Sequence, residues 1–124
     1  MKSTLEELKF FIFENIDSIE RLEVLILLHK NPEKVWTAES VNQELRSNIK
    51  WVQSHLEVLT KLKIFKCDGK INYQYAPATA ELNSLCVNLA QLYKEKRVMV
   101  INLIYNQSAE RIKDLADAFK IRRE

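Results

Sequence analysis

Thr37-Ala-Glu-Ser-Val-Asn-Gln-Glu-Leu-Arg46, then Ser47, then Asn48-Ile-Lys-Trp-Val-Gln-Ser-His-Leu-Glu-Val-Leu-Thr-Lys61 decides the fold. Both segments carry apolar residues at helical spacing, and Thr37 can cap the N-terminus of the first. They abut with almost nothing between them, so the chain must turn sharply at Ser47-Asn48. Ile64-Phe-Lys-Cys67, Asp68-Gly69-Lys70 and Ile71-Asn-Tyr-Gln-Tyr75 follow at once. Two alternating runs around a glycine predict a short two-stranded ribbon. The ribbon register follows from alternation. A three-residue loop, Asp68-Gly69-Lys70, pairs Cys67 with Ile71 and Phe65 with Tyr73, and leaves Lys66 with Asn72 on the outer face.

Outward from this stretch, the rest of the chain reads as helix. Ser3-Thr-Leu-Glu6 has a capping-box pattern, and Leu5, Leu8, Phe11 and Ile12 form one stripe behind it. Asp17-Ser18 starts a second helix, from Ile19 to about His29, with Leu22, Leu25 and Ile26 inward and Asn31-Pro32 as its stop. Val35-Trp36 is long enough for a single strand bridge. After Pro77, Thr79 caps a long helix whose stripe of Leu82, Leu85, Cys86, Leu89, Leu92 and Tyr93 continues through Lys94-Glu-Lys-Arg97 into Val98–Tyr105. That last run is apolar around its circumference except at Asn102, so it needs cover on every side. A final helix is expected from Ala109 to about Lys120.

A chain of 124 residues, 47% apolar, suits one compact domain, here 1–124 with N-terminal helices (1–34), a central unit (35–76) and C-terminal helices (77–124). A single glycine and two prolines favour helices over a many-stranded sandwich. They also exclude any glycine-rich phosphate loop. No nucleophile–base pair or paired carboxylates stand out. Asp114, Asp117 and Glu110 read as surface charges of one helix, so an enzyme is not expected. Cys67 and Cys86 are spaced like buried small hydrophobes, and His29 and His55 like packing residues, so neither a metal nor a cofactor is called for. No apolar run reaches membrane-span length, and the polar start Met1-Lys-Ser-Thr-Leu-Glu-Glu lacks signal-peptide character, which predicts a cytoplasmic protein.

The net charge of +2 hides a polarity along the chain. Residues 1–45 carry five basic against nine acidic side chains, a balance of −4; residues 46–74 carry six against two, +4; residues 75–124 carry eight against six, +2. The basic excess thus falls on the helix-and-ribbon stretch, as contact with a polyanion requires. With Val52 at zero and about 100° per residue, Leu45, Asn48, Ile49, Leu56 and Leu59 lie within roughly 60° of it. The opposite face is centred on Lys50, Ser54 and Lys61, flanked by Gln53, Glu57 and Ser47. Trp51 and Val58 fall on a side edge and are expected to pack under a neighbouring element.

Ala38-Glu-Ser-Val41, Trp51-Val-x-x-x-Leu56-x-x-Leu59, Leu62-x-Ile64, Gly69 at a ribbon tip and Tyr73-x-Tyr75 leaving it resemble the winged helix-turn-helix domain of bacterial transcription regulators, nearest the MarR-like group. The likeness covers about a third of the chain. It departs in having Lys63 where the family tends to glycine, and lysines where its wings usually carry arginine. The resemblance implies a mainly α fold with a small β-hairpin, an N-terminal helix and long C-terminal helices. It further implies a homodimer that binds double-stranded DNA. The residues expected to touch DNA are Ser47, Lys50, Gln53, Ser54 and Lys61 on the helix, and Lys66, Lys70 and Asn72 on the wing. The alternative is a winged-helix adaptor that binds a protein partner without DNA, because this fold serves both roles.

Overall fold

The structure, a computed structural model, describes residues 2–106. It is mainly helical, with one two-stranded antiparallel hairpin. The order is α1 (Leu5–Asn15), α2 (Ile19–Lys30), α3 (Ala38–Leu45), α4 (Ile49–Lys61), β1 (Phe65–Asp68), β2 (Asn72–Tyr75) and α5 (Ala80–Glu95). Residues 97–106 are helical again. The expected helix between Ala109 and Lys120 lies outside the described residues.

The starts of α1 to α5 are each fixed by a side-chain cap. Thr4, Ser18, Thr37, Asn48 and Thr79 accept from the backbone amides of Glu7, Arg21, Ser40, Lys50 and Leu82. The first capping box is Thr4 with Glu7, one residue beyond the expected Ser3 with Glu6. Starting there, α1 buries Leu8, Phe11 and Ile12 but leaves Leu5 exposed.

α2 is the central helix, packed against α3, α4, α5 and β2. Its Leu22, Val24, Leu25 and Leu28 are wholly buried, which explains the near-continuous apolar run Val24–Leu28. α3 and α4 pack on it and on each other, while α1 lies against α5. From α4, Val52, Leu56 and Leu59 enter the core at zero exposure. The inner stripe expected of this helix is therefore present, except that Asn48 and Ile49, at its start, are exposed.

The hairpin pairs Phe65 with Tyr75, Lys66 with Gln74, Cys67 with Tyr73 and Asp68 with Asn72. The loop is thus Gly69-Lys70-Ile71, one residue later than expected. Gly69 and Lys70 both take positive φ, 64° and 67°, and this puts the glycine at the first left-handed position. Because the register moves by two, each side chain keeps its face. Phe65 and Tyr73 remain buried; Lys66 stays on the other face with Asn72 but is paired with Gln74. Cys67 is exposed, contrary to expectation, whereas Cys86 is buried. Its cross-strand partner Tyr73 is buried, so it is the small Cys67 side chain itself, and not its place along the ribbon, that is left uncovered. Trp36 bridges Tyr73 through two backbone hydrogen bonds of 2.7 Å, so the single bridge expected at Val35-Trp36 forms on the free edge of β2.

The α4–β1 connection is tight. Lys63 has a φ of 69°, a left-handed conformation usually left to glycine, and sits where the resembled family tends to place one. Its carbonyl accepts from Ala78 and that of Ile64 from Ala76, tying the base of the ribbon to the end of α4. The C-terminal helix is not continuous. α5 ends at a cap on Lys96, φ −130°, before residues 97–106 resume. There Val100 and Ile104 are buried, but Val98 and Tyr105 are 71% and 65% exposed.

Candidate nucleic-acid interface

The turn between α3 and α4 comprises Arg46, Ser47 and Asn48. Arg46 adopts a left-handed conformation, φ 52°, and its amide donates to the Asn42 carbonyl at 2.7 Å. The Asn42 side chain accepts from the Ser47 amide at 3.0 Å, and Asn48 caps α4. With three residues held this way, the entry angle of α4 is set by local chemistry. The first turn of α4 has no acidic residue, so its partial positive charge is uncompensated from within the helix.

Around this frame the expected contact residues divide into two groups. Lys50, Ser54 and Lys61 on α4, and Lys66 and Lys70 on the hairpin, are exposed. Asn72 is half-buried. Ser47 and Gln53 are engaged within the protein. Ser47 Oγ donates to Glu20 at 2.7 Å, and the Gln53 amide donates to Glu57 at 3.0 Å and to the Tyr73 hydroxyl at 2.9 Å. Gln53 therefore pins α4 to the hairpin. Burial raises the Tyr73 pKa above its usual value, with the Gln53 hydrogen bond opposing, so the phenol is neutral at pH 7.

The residues missing from the sequence expectation lie beneath the start of α4. His55 sits 60° from Val52 on the wheel and is buried, so the inner face is not wholly apolar. Arg21 Nε donates to His55 Nδ1 at 3.1 Å, while another guanidinium nitrogen donates to the Asn15 carbonyl and lies 3.3 Å from Asp17. On the other side of the ring, His55 Nε2 is 3.6 Å from Glu20, the carboxylate that also accepts from Ser47. Burial first, then the Arg21 charge, lowers the His55 pKa, against the pull of Glu20 and Asp17. A neutral ring accepting at Nδ1 fits that shift. The chain Asn15–Arg21–His55–Glu20–Ser47 locks the α3–α4 turn onto α2.

Trp51 departs most from expectation: it is 62% exposed, at the third residue of α4. It forms one wall of a recess of about 360 Å³ shared with Ser18, Arg21, Ser54 and His55. A second groove, about 660 Å³, separates α2 from α5; Ile26, Leu27 and Val87 line it, with Lys30, Lys94 and Arg97 around it.

Among the described residues no helix is long and apolar enough to cross a membrane. Among the same residues no cluster of His, Cys, Asp and Glu could hold a metal ion. Burial raises the Cys86 thiol to about 11, so it is an unreactive thiol at pH 7. No family model, curated protein or solved structure matches this chain.

Proposed function

We propose that this chain is a winged helix-turn-helix transcription regulator, nearest the MarR-like group, that binds double-stranded DNA as a cytoplasmic homodimer. The observation that carries the reading is one juxtaposition. A short helix, a three-residue turn and a second helix run straight into a hairpin, and both the second helix and the hairpin expose lysines: Lys50, Lys61, Lys66 and Lys70. In such a module the second helix enters the major groove and the hairpin lies along the backbone. Lys66 and Lys70 then contact phosphate, while Lys50 and Ser54 face base edges. Gln53 and Ser47 orient the reading head, because their polar groups are already bonded internally.

The homodimer rests on apolar surface that is exposed among the described residues. Phe10 on α1 is 66% exposed, and Val98 and Tyr105 exceed 60%. A twofold interface through these elements buries them and sets two reading helices about one DNA turn apart, on a palindromic site.

A protein-binding adaptor is the second reading. Exposed Glu57 on the outer side of α4, and the internal engagement of Ser47 and Gln53, favour it. Fluorescence polarisation with random-sequence duplex DNA across a salt series separates the two. A regulator binds at low salt with log affinity falling linearly against log salt; the absence of binding at low salt overturns the DNA reading and leaves the adaptor.

A further inference from the structure

α4 needs only part of its surface to fold. Val52, Leu56 and Leu59 are wholly buried and His55 nearly so, which already joins the helix to α2 and β1. Trp51, beside them in sequence, keeps 62% of its surface in water. An indole is among the largest apolar side chains, and leaving most of it exposed does nothing for the core. Lys50 precedes it, and Ser54 follows one turn later on the same edge.

We propose that Trp51 is a specificity-determining residue that reads the 5-methyl group of thymine in the major groove. This rests on the DNA-binding reading above. The N-terminal residues of a reading helix are the ones that reach base edges, and Trp51 is the third residue of α4. The thymine methyl is the one apolar feature among major-groove base edges, and apolar side chains are its natural contacts. A phosphate contact is less well served: Arg21, which lines the recess beside the indole together with Asp17 and Glu20, is already engaged by Asp17, His55 and the Asn15 carbonyl, whereas a neutral methyl needs no charged partner. Ser54 at the rim supplies a hydroxyl that can donate to or accept from the neighbouring base. The scarcity of polar readers follows too: with Gln53 and Ser47 engaged internally, an apolar contact takes over part of the discrimination.

Two measurements on the intact chain test this. The chain has two tryptophans, and Trp36 is only 2% exposed, so acrylamide quenching reports mainly Trp51. Saturating alternating dA·dT duplex is expected to protect it. Affinity is then compared between that duplex and its dA·dU counterpart, which differs by the methyl alone. Burying one methyl is worth about 0.8 kcal/mol, so wild type should bind dA·dU about fourfold more weakly for each methyl contacted. Trp51→Ala should bind both duplexes equally, and Trp51→Phe should keep part of the preference. Equal wild-type affinity for the two duplexes, discrimination that survives Trp51→Ala, or unprotected Trp51 at saturation each overturns the thymine contact while leaving DNA binding in place. Failure to bind any duplex at low salt overturns both, and protection of Trp51 by a protein partner instead would identify the adaptor surface.

Discussion

The Gln53–Tyr73 hydrogen bond is a direct side-chain link between α4 and the hairpin, and its contribution can be isolated. Gln53 Nε2 lies 2.9 Å from the Tyr73 hydroxyl, and Tyr73 is only 3% exposed. A neutral hydrogen bond of this kind contributes about 0.5–1.5 kcal/mol net, and stranding a buried partner costs about 1–3 kcal/mol. Gln53 is half-buried, so water can partly replace its amide, which points to the low end. We expect Gln53→Ala to cost about 1 kcal/mol, Tyr73→Phe about 1 kcal/mol and the double variant about 1.5 kcal/mol, a coupling of about 0.5 kcal/mol. Removing the Gln53–Glu57 hydrogen bond adds little, because Glu57 is exposed. Urea unfolding followed by far-UV circular dichroism supplies the four free energies. Additive single variants, with no coupling beyond about 0.3 kcal/mol, refute the link. If the link orients the wing, Tyr73→Phe should also weaken DNA binding equally across sequences, since the phenol contacts no base.

The remaining expectations are independent of that link. Lys66→Ala with Lys70→Ala should flatten the slope of log affinity against log salt by about 1.8, which is about 0.9 for each lysine–phosphate ion pair removed; an unchanged slope takes the wing out of the DNA interface. Burial lowers the pKa of both His29 and His55, with Arg21 adding to the effect at His55. Unfolded histidine titrates near 6.5, so below that pH the unfolded chain holds more protons. Stability is then full above about pH 6.5 and falls toward the lower folded pKa values, by at most about 1.4 kcal/mol per pH unit for each histidine. Denaturation midpoints at about pH 7.5 and 5.5 that coincide would contradict this. Thr37→Ala removes the hydroxyl that accepts from the Ser40 amide, leaves the Thr37 amide donating to Ser40 Oγ, and should cost about 1 kcal/mol by the same urea assay. On the proposed twofold model, wild type should sediment as a dimer and Phe10→Glu as a folded monomer; a wild-type monomer at micromolar concentration defeats that model.

The sequence by itself determined what depends on near neighbours. Thr37 and Thr79 announce helix starts because a cap reaches only two or three residues ahead. Val52, Leu56 and Leu59 declare an inner face because helical periodicity is fixed by backbone geometry. The hairpin faces were legible for the same reason, since Phe65 and Tyr73 share a parity that a two-residue shift preserves. What only the tertiary structure decided involves partners far apart in the chain. Ser47 and Gln53 look like free polar groups until Glu20 and Tyr73 are brought beside them, from 27 and 20 residues away. His55 joins the core only because Arg21 on α2 supplies its hydrogen bond, 34 residues upstream. Trp51 occupies an edge of the helix wheel that a neighbour could have covered, and no periodicity says whether one does. Local chemistry thus fixes elements and their faces, while the pairing of polar groups depends on which elements meet, and that is set largely by the packing of α2 against α3, α4, α5 and β2.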